Sequence, residues 1–171
     1  MKNTKRMVFM AVLTSLSVVL GVIDAQIGVF LTFMPFAKIG LANIVIILSI
    51  LYFDFKDSIT MAVLKSLLVG LILGSISTFF IGFTGTMLSF FGMLTIYKMS
   101  QGNASLIFIS VVGGLLHSLG QVVAVMIFYK SIAAVLFAPQ LILVSVVTGV
   151  VIGMLTTSVR SYVDKTRVFE L

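Results

Sequence analysis

The sequence predicts an all-α integral membrane protein of six transmembrane helices, with a bent or re-entrant segment between the first and the second. Three observations predict it. Apolar residues make up 60% of the chain and charged residues only 9%, and mean hydropathy is +1.28. The few charges also fall mostly at the ends of long apolar runs. At roughly 20 residues for each spanning helix, the 171 residues are taken up by a single membrane domain over 1–171.

The first helix is expected over 7–26, behind Lys2, Lys5 and Arg6. That start resembles a signal peptide, but Asp24, Gln26 and further apolar sequence follow without a small-residue cleavage pattern. An uncleaved helix is expected. Ile27 to Phe36 is apolar and interrupted by Pro35, and the run over 39–53 is too short by itself for a hydrocarbon core of roughly 30 Å. The stretch before it is therefore expected to bend against protein, since irregular backbone at depth must not face lipid. Asp54, Lys56 and Asp57 mark a polar turn, and helices follow over 58–76 and 79–97. Gly102 and Asn103 suit a helix break before the fifth helix, 105–129. The sixth, 139–162, starts at Pro139, and the first turn is where proline is tolerated.

Six spans put both termini on one side. Lys2, Lys5, Arg6, Lys56, Lys98, Arg160, Lys165 and Arg167 fall on that side, against Lys38 and Lys130 opposite. The bias predicts a multi-pass protein of the cell membrane with cytoplasmic termini. It also explains the net charge of +6 without a nucleic-acid partner, because the cations form no single patch. With no cysteine and one histidine, neither a disulfide framework nor a metal site is expected, and no cofactor. No internal repeat points to inverted-repeat architecture.

The polar residues inside the spans carry the functional reading. His117 is the only histidine and lies in the uncharged run from Ser105 to Tyr129. Gly113, His117 and Gln121 are four apart, so they share one helix face, where glycine lets a backbone or a ligand approach closely. His117 and Gln121 either hydrogen-bond between helices or contact a ligand. Lys65 either snorkels to the cytoplasmic interface or serves the interior. Asp24 caps or flanks its helix, or pairs with Lys38. Between Pro35 and Asn43 a proline, the cation Lys38, Gly40 and the amide Asn43 lie close together, a pattern suited to a polar or anionic headgroup. The small residues Ser66, Gly70 and Gly74, then Gly82, Gly85, Ser89 and Gly92, then Gly149 and Gly153, are read as close helix packing. Ala11 and Ser15 are read as a place for a partner's helices.

Four blocks then resemble a known family: Phe36-Ala-Lys-Ile-Gly-Leu-Ala-Asn-Ile-Val45, Val63-Leu-Lys-Ser-Leu-Leu-Val-Gly-Leu-Ile-Leu-Gly74, Gly82 to Ser89, and Val112-Gly-Gly-Leu-Leu-His-Ser-Leu-Gly-Gln121. In this order and spacing they resemble the Gx transporter family, also labelled heptaprenyl diphosphate synthase component I, and the resemblance covers nearly the whole chain. The resemblance implies a six-helix bundle similar to the substrate-binding S components of energy-coupling factor transporters, with Ala11 and Ser15 facing a transmembrane and ATPase module. Where that family more often has His-Asn, this chain has His117-Ser118, which leaves His117 and Gln121 as the matched pair.

The two labels predict different chemistry. Prenyl diphosphate synthesis needs aspartate-rich motifs that hold magnesium on the diphosphate. This chain has four aspartates and one glutamate, and only Asp54 and Asp57 are close together. No catalysis is expected of it, and with no phosphate-binding lysine loop any ATP motor must be another chain. The expected function is uptake of a small anionic or amphipathic ligand from the outer face. Its pocket is expected between the Pro35 to Asn43 segment and the outer parts of the fifth and sixth helices. There Lys38 supplies charge and Asn43, His117 and Gln121 hydrogen bonds, with Lys65 as a further member. The alternative is a non-catalytic accessory subunit of isoprenoid or quinone metabolism, or of flavin-linked membrane electron transfer.

Overall fold

A computed structural model describes residues 3–30 and 40–166. Among them are six α-helices, one 3-10 helix and no strand: α1 (Asn3–Phe30), α2 (Ala42–Tyr52), α3 (Phe55–Ile72), α4 (Ile76–Met99), α5 (Leu106–Tyr129), the 3-10 turn (Ile132–Phe137) and α6 (Ala138–Thr166). Four stretches, in α1, α4, α5 and the 3-10 turn with α6, are long and apolar enough to cross a membrane. The six expected spans thus differ in kind. α2 has 11 residues, about 16 Å of helix, and eight of them, from Ala42 to Ile50, are buried. α2 is an inner helix that other helices shield. α3 carries Lys56, Asp57 and Lys65 within its 18 residues.

The helix ends follow from turn chemistry. α3 stops at Ile72, short of the expected Ile76, because Gly74 takes a left-handed φ of +61°. The Gly74 N–H then donates to the Leu71 carbonyl and the Ser75 N–H to that of Gly70, the double bond of a Schellman cap. Ser75 accepts from the Thr78 N–H at 3.2 Å and so starts α4. The turn after α4 repeats this arrangement. Gln101 has φ +52°, the Gly102 N–H donates to Tyr97, and Ser105 caps α5 through the Phe108 N–H at 3.1 Å. α1 runs on to Phe30, so the first part of the expected bent segment is helix. The rest of that segment, with Pro35 and Lys38, lies outside the described residues.

Charged contacts gather one end of the bundle. Arg6 near the start of α1 pairs with Asp54 and Asp57 at the α2–α3 turn. The Tyr52 hydroxyl donates to Asp164 near the end of α6, and Arg160 pairs with Asp164. The N-terminal end of α1 and the C-terminal end of α6 therefore share one face with the α2–α3 turn. Above this end lies an apolar core of Ile46, Ile47, Ile50, Ala62, Phe90, Met93, Leu106 and Ile109.

Glycines set the tightest helix contacts. A Cβ on Gly153 would come within 2.4 Å of the Ile107 Cα, and one on Gly149 within 2.7 Å of the Val111 Cα, so α6 lies directly on α5. On the other side of α5, a Cβ on Gly120 would meet the Gly85 Cα of α4 at 2.9 Å. These contacts are backbone against backbone and have no flexible side chain to give way. Gly74, by contrast, has nothing within 4 Å and serves the turn.

Gly153→Ala should separate α5 from α6 and destabilise the protein by about 1–3 kcal/mol, read as a lower unfolding midpoint in detergent. The native chain has no cysteine, so single cysteines report topology directly. Cysteines at Ser100 and Ser131, at opposite ends of α5, should react with a membrane-impermeant thiol reagent from opposite sides of the membrane.

Candidate functional site

Away from the paired end, five helices converge on one polar cavity. Its described lining is Gly21 and Asp24 of α1, Gly40, Ala42 and Asn43 at the start of α2, Lys65, Ser66 and Val69 of α3, Thr78 and Gly82 of α4, and His117 of α5. The cavity volume is about 20 Å³, room for a single water molecule. Its polar side chains are therefore packed close together, and a larger molecule enters only if they part.

Each polar group is placed by its helix. On α1, Thr14, Ser17, Gly21 and Asp24 recur at three- and four-residue spacing and face inward, and Asp24 is 3% exposed. Its Oδ2 accepts a long 3.5 Å bond from the Ala42 N–H, the first helical residue of α2. A carboxylate at a helix N-terminus is favoured by the free N–H groups and the helix dipole there. Asp24 thus caps a neighbouring helix, not its own. Lys65 does not reach the interface. It is 7% exposed, and its Nζ donates to Thr86 Oγ1 of α4 at 3.1 Å. Its stem passes beside Gly21, where a Cβ would lie 3.4 Å from Lys65 Cε and only 2.9 Å from Val69 Cγ2, so the glycine chiefly makes room for Val69.

Asn43 and His117 are buried in the same lining. A Cβ on Gly85 would come 2.8 Å from the His117 carbonyl, 3.0 Å from Gln121 Cγ and 3.2 Å from His117 Cε1. The bare α4 backbone at Gly85 is therefore what lets this face of α5 sit so close. Gln121, one turn beyond His117, is 1% exposed, and neither end of its amide has a hydrogen-bond partner among the described residues. It is not among the cavity-lining residues.

Of the residues expected at the site, Asn43, Lys65 and His117 come together, Gln121 stands one turn behind, and Lys38 lies outside the described residues. The expected contribution of the sixth helix differs. Among the described residues none from α6 lines the cavity, because α6 packs on another face of α5, where Ser118 and Ser145 share a 2.6 Å hydrogen bond. Position 118 thus holds α5 to α6. Three contributors were not singled out from the sequence: Thr86, Thr78 and Asp24 in its inward-facing role. Asp24 alone carried a usable signal, its place on the same three- and four-residue stripe as Thr14, Ser17 and Gly21. Ala11 and Ser15 are exposed on the outward face of α1, among exposed Met7, Val8, Val12 and Val19.

The family model of heptaprenyl diphosphate synthase component I matches residues 13–159, a stretch that contains every described cavity residue. No match is found among curated proteins or among solved structures.

Thr86→Val removes the hydroxyl that accepts from Lys65 and keeps the side-chain volume. The change should cost about 1 kcal/mol of stability, measured as a lower unfolding midpoint of the purified protein. Thr95→Val, at an exposed hydroxyl that only bonds back to its own helix, should leave the midpoint nearly unchanged.

Proposed function

The chain belongs to the heptaprenyl diphosphate synthase component I family, and from its buried polar cavity we propose that it is a substrate-binding membrane protein of the S-component kind. It takes up a small anionic or amphipathic molecule. The observation that carries this reading is the convergence of Asn43, Lys65 and His117 from three helices on one buried cavity, far from the charged end. Ionisable groups inside a membrane bundle are costly to fold, so their collection at one point favours a site over packing. In this reading the Lys65 ammonium pairs with the anionic group, and Asn43 and His117 hydrogen-bond it. A neutral imidazole both donates and accepts. Gln121, whose amide is unsatisfied among the described residues, supplies a further hydrogen bond when the helices part. In this reading Lys38, which lies outside the described residues, supplies further positive charge.

No catalytic step is assigned to the chain. Among the described residues Asp54 and Asp57 both pair with Arg6, Asp164 is held by Tyr52 and Arg160 at the same end, and Asp24 is the one carboxylate of the described cavity lining. In this reading they do not make the aspartate-rich motifs that hold magnesium on a diphosphate. The paired end faces the cytoplasm, following its excess of Lys and Arg. Any ATPase module is a separate assembly that docks on the outward face of α1 at Ala11 and Ser15.

A second reading is a non-catalytic subunit that presents a prenyl lipid or quinone, or that serves flavin-linked electron transfer. The family's description favours it. So does an apolar groove of about 280 Å³ at the α3–α4 corner, lined by Leu67, Gly70, Leu71, Gly74, Ile76 and Phe79, which suits a hydrocarbon chain.

Mass spectrometry of small molecules that co-purify with the full chain separates the two. The first reading expects a water-soluble, vitamin-like or flavin molecule whose occupancy falls at least about tenfold in His117→Ala. A bound prenyl diphosphate or quinone, retained by His117→Ala, would support the second. Normal uptake of every candidate molecule by cells that lack this chain would sink the first.

A further inference from the structure

We propose that Asp24 and Lys65 are opposed charged walls of the cavity and select a small dipolar ligand, one that carries an anionic group together with a cationic or N–H donor group. This rests on the binding role proposed above and narrows its ligand class. The two charges come from neighbouring helices and stand close to each other along α1. The Lys65 stem crosses α1 at Gly21, three residues before Asp24. Each is anchored on a different wall, the ammonium to Thr86 of α4 and the carboxylate to the N-terminus of α2. Asn43, Ser66, Thr78 and His117 are the other polar side chains of the described lining, in which Asp24 is the one carboxylate and Lys65 the one ammonium.

In so dry a site a charge must be compensated by an opposite charge or by hydrogen bonds. The cavity holds about one water molecule, so a ligand enters only if the lining side chains move apart. It must then offer the carboxylate and the ammonium each a partner of its own. A purely anionic molecule satisfies Lys65 and faces the Asp24 carboxylate as a like charge; a purely cationic one meets the reverse problem. A molecule with both kinds of group satisfies both walls, and its own two ends are the features the site distinguishes. Asp24 is therefore a specificity-determining residue.

The test uses a matched set of probes, β-alanine, propionate and propylammonium, with thermal unfolding of the detergent-purified full chain at neutral pH. β-Alanine should stabilise the unmodified protein with at least about tenfold higher apparent affinity than either singly charged probe. Asp24→Asn should shift the preference to propionate, and Lys65→Gln should shift it to propylammonium. The proposal is overturned if propionate stabilises the unmodified protein as well as β-alanine does, if none of the three stabilises it, or if Asp24→Asn keeps the original order. Should Asp24→Asn fail to give a monodisperse protein, Lys65→Gln carries the test with the signs reversed. A co-purified molecule that His117→Ala releases, combined with no charge selectivity here, leaves the binding role standing and removes only this inference.

Discussion

A charge inside a bilayer has no water to fall back on, and the arrangement of this bundle follows from that constraint. Asp24 and Lys65 lie within a chain of 60% apolar residues, so helices must close around them and supply partners. α1 brings the carboxylate, α2 offers the N-terminus that it caps, α3 brings the ammonium and α4 the Thr86 hydroxyl. Each of these helices needs the others to keep its polar group out of lipid. A bundle of the same helices in another order would bury unpaired charge, a cost that a small membrane domain is poorly placed to absorb.

Two kinds of packing make that closure possible. α4, α5 and α6 approach each other through bare backbone at Gly85, Gly120, Gly149 and Gly153, which lets side chains on the free faces of α5 meet a neighbour at close range. α1 is held differently. Among the described residues it contacts only α2 and α3, through an inward stripe of small and polar residues and through Arg6 at the charged end. One side of the cavity is thus built on tightly interlocked helices and the other on a helix at the edge of the bundle. Asp24 rides on that edge helix, so a movement of α1 relative to α3 would change the distance between the two charges.

The short α2 shows how a fold of this composition handles a helix that cannot cross a membrane. Apart from Asn43 and Ser49 its eleven residues are hydrophobic, and eight of the eleven are buried, so neighbours replace lipid around it. Its start, at Gly40 with φ +84°, lines the cavity. There the Ala42 N–H donates to Asp24, while those of Asn43 and Ile44 bond back to Gly40 and Leu41. The same shortness that makes α2 a poor spanning helix puts a helix N-terminus at the depth of Lys65 and His117.

Much of the architecture was legible in the sequence. The apolar runs located the helices to within a few residues, because the period and composition of a membrane helix are local properties. The ends that differed, α1 reaching Phe30 and α3 stopping at Ile72, depend on single turns. Gly74 marks one of them, and a glycine in an apolar run reads equally well as packing or as a cap. His117 stood out because one histidine in an uncharged stretch is anomalous wherever it points. Which helix faces meet is not a local property, and only the tertiary structure decided it. It turned Lys65 inward to Thr86, gave Asp24 to the cap of another helix, set Ser118 against Ser145, and kept α6 out of the cavity lining. The sequence by itself determined that polar groups are buried in a membrane bundle. The meeting of an acid, a base and an imidazole at one point was decided by the rotation of each helix about its axis, which interhelical packing sets and a single strand of sequence does not encode.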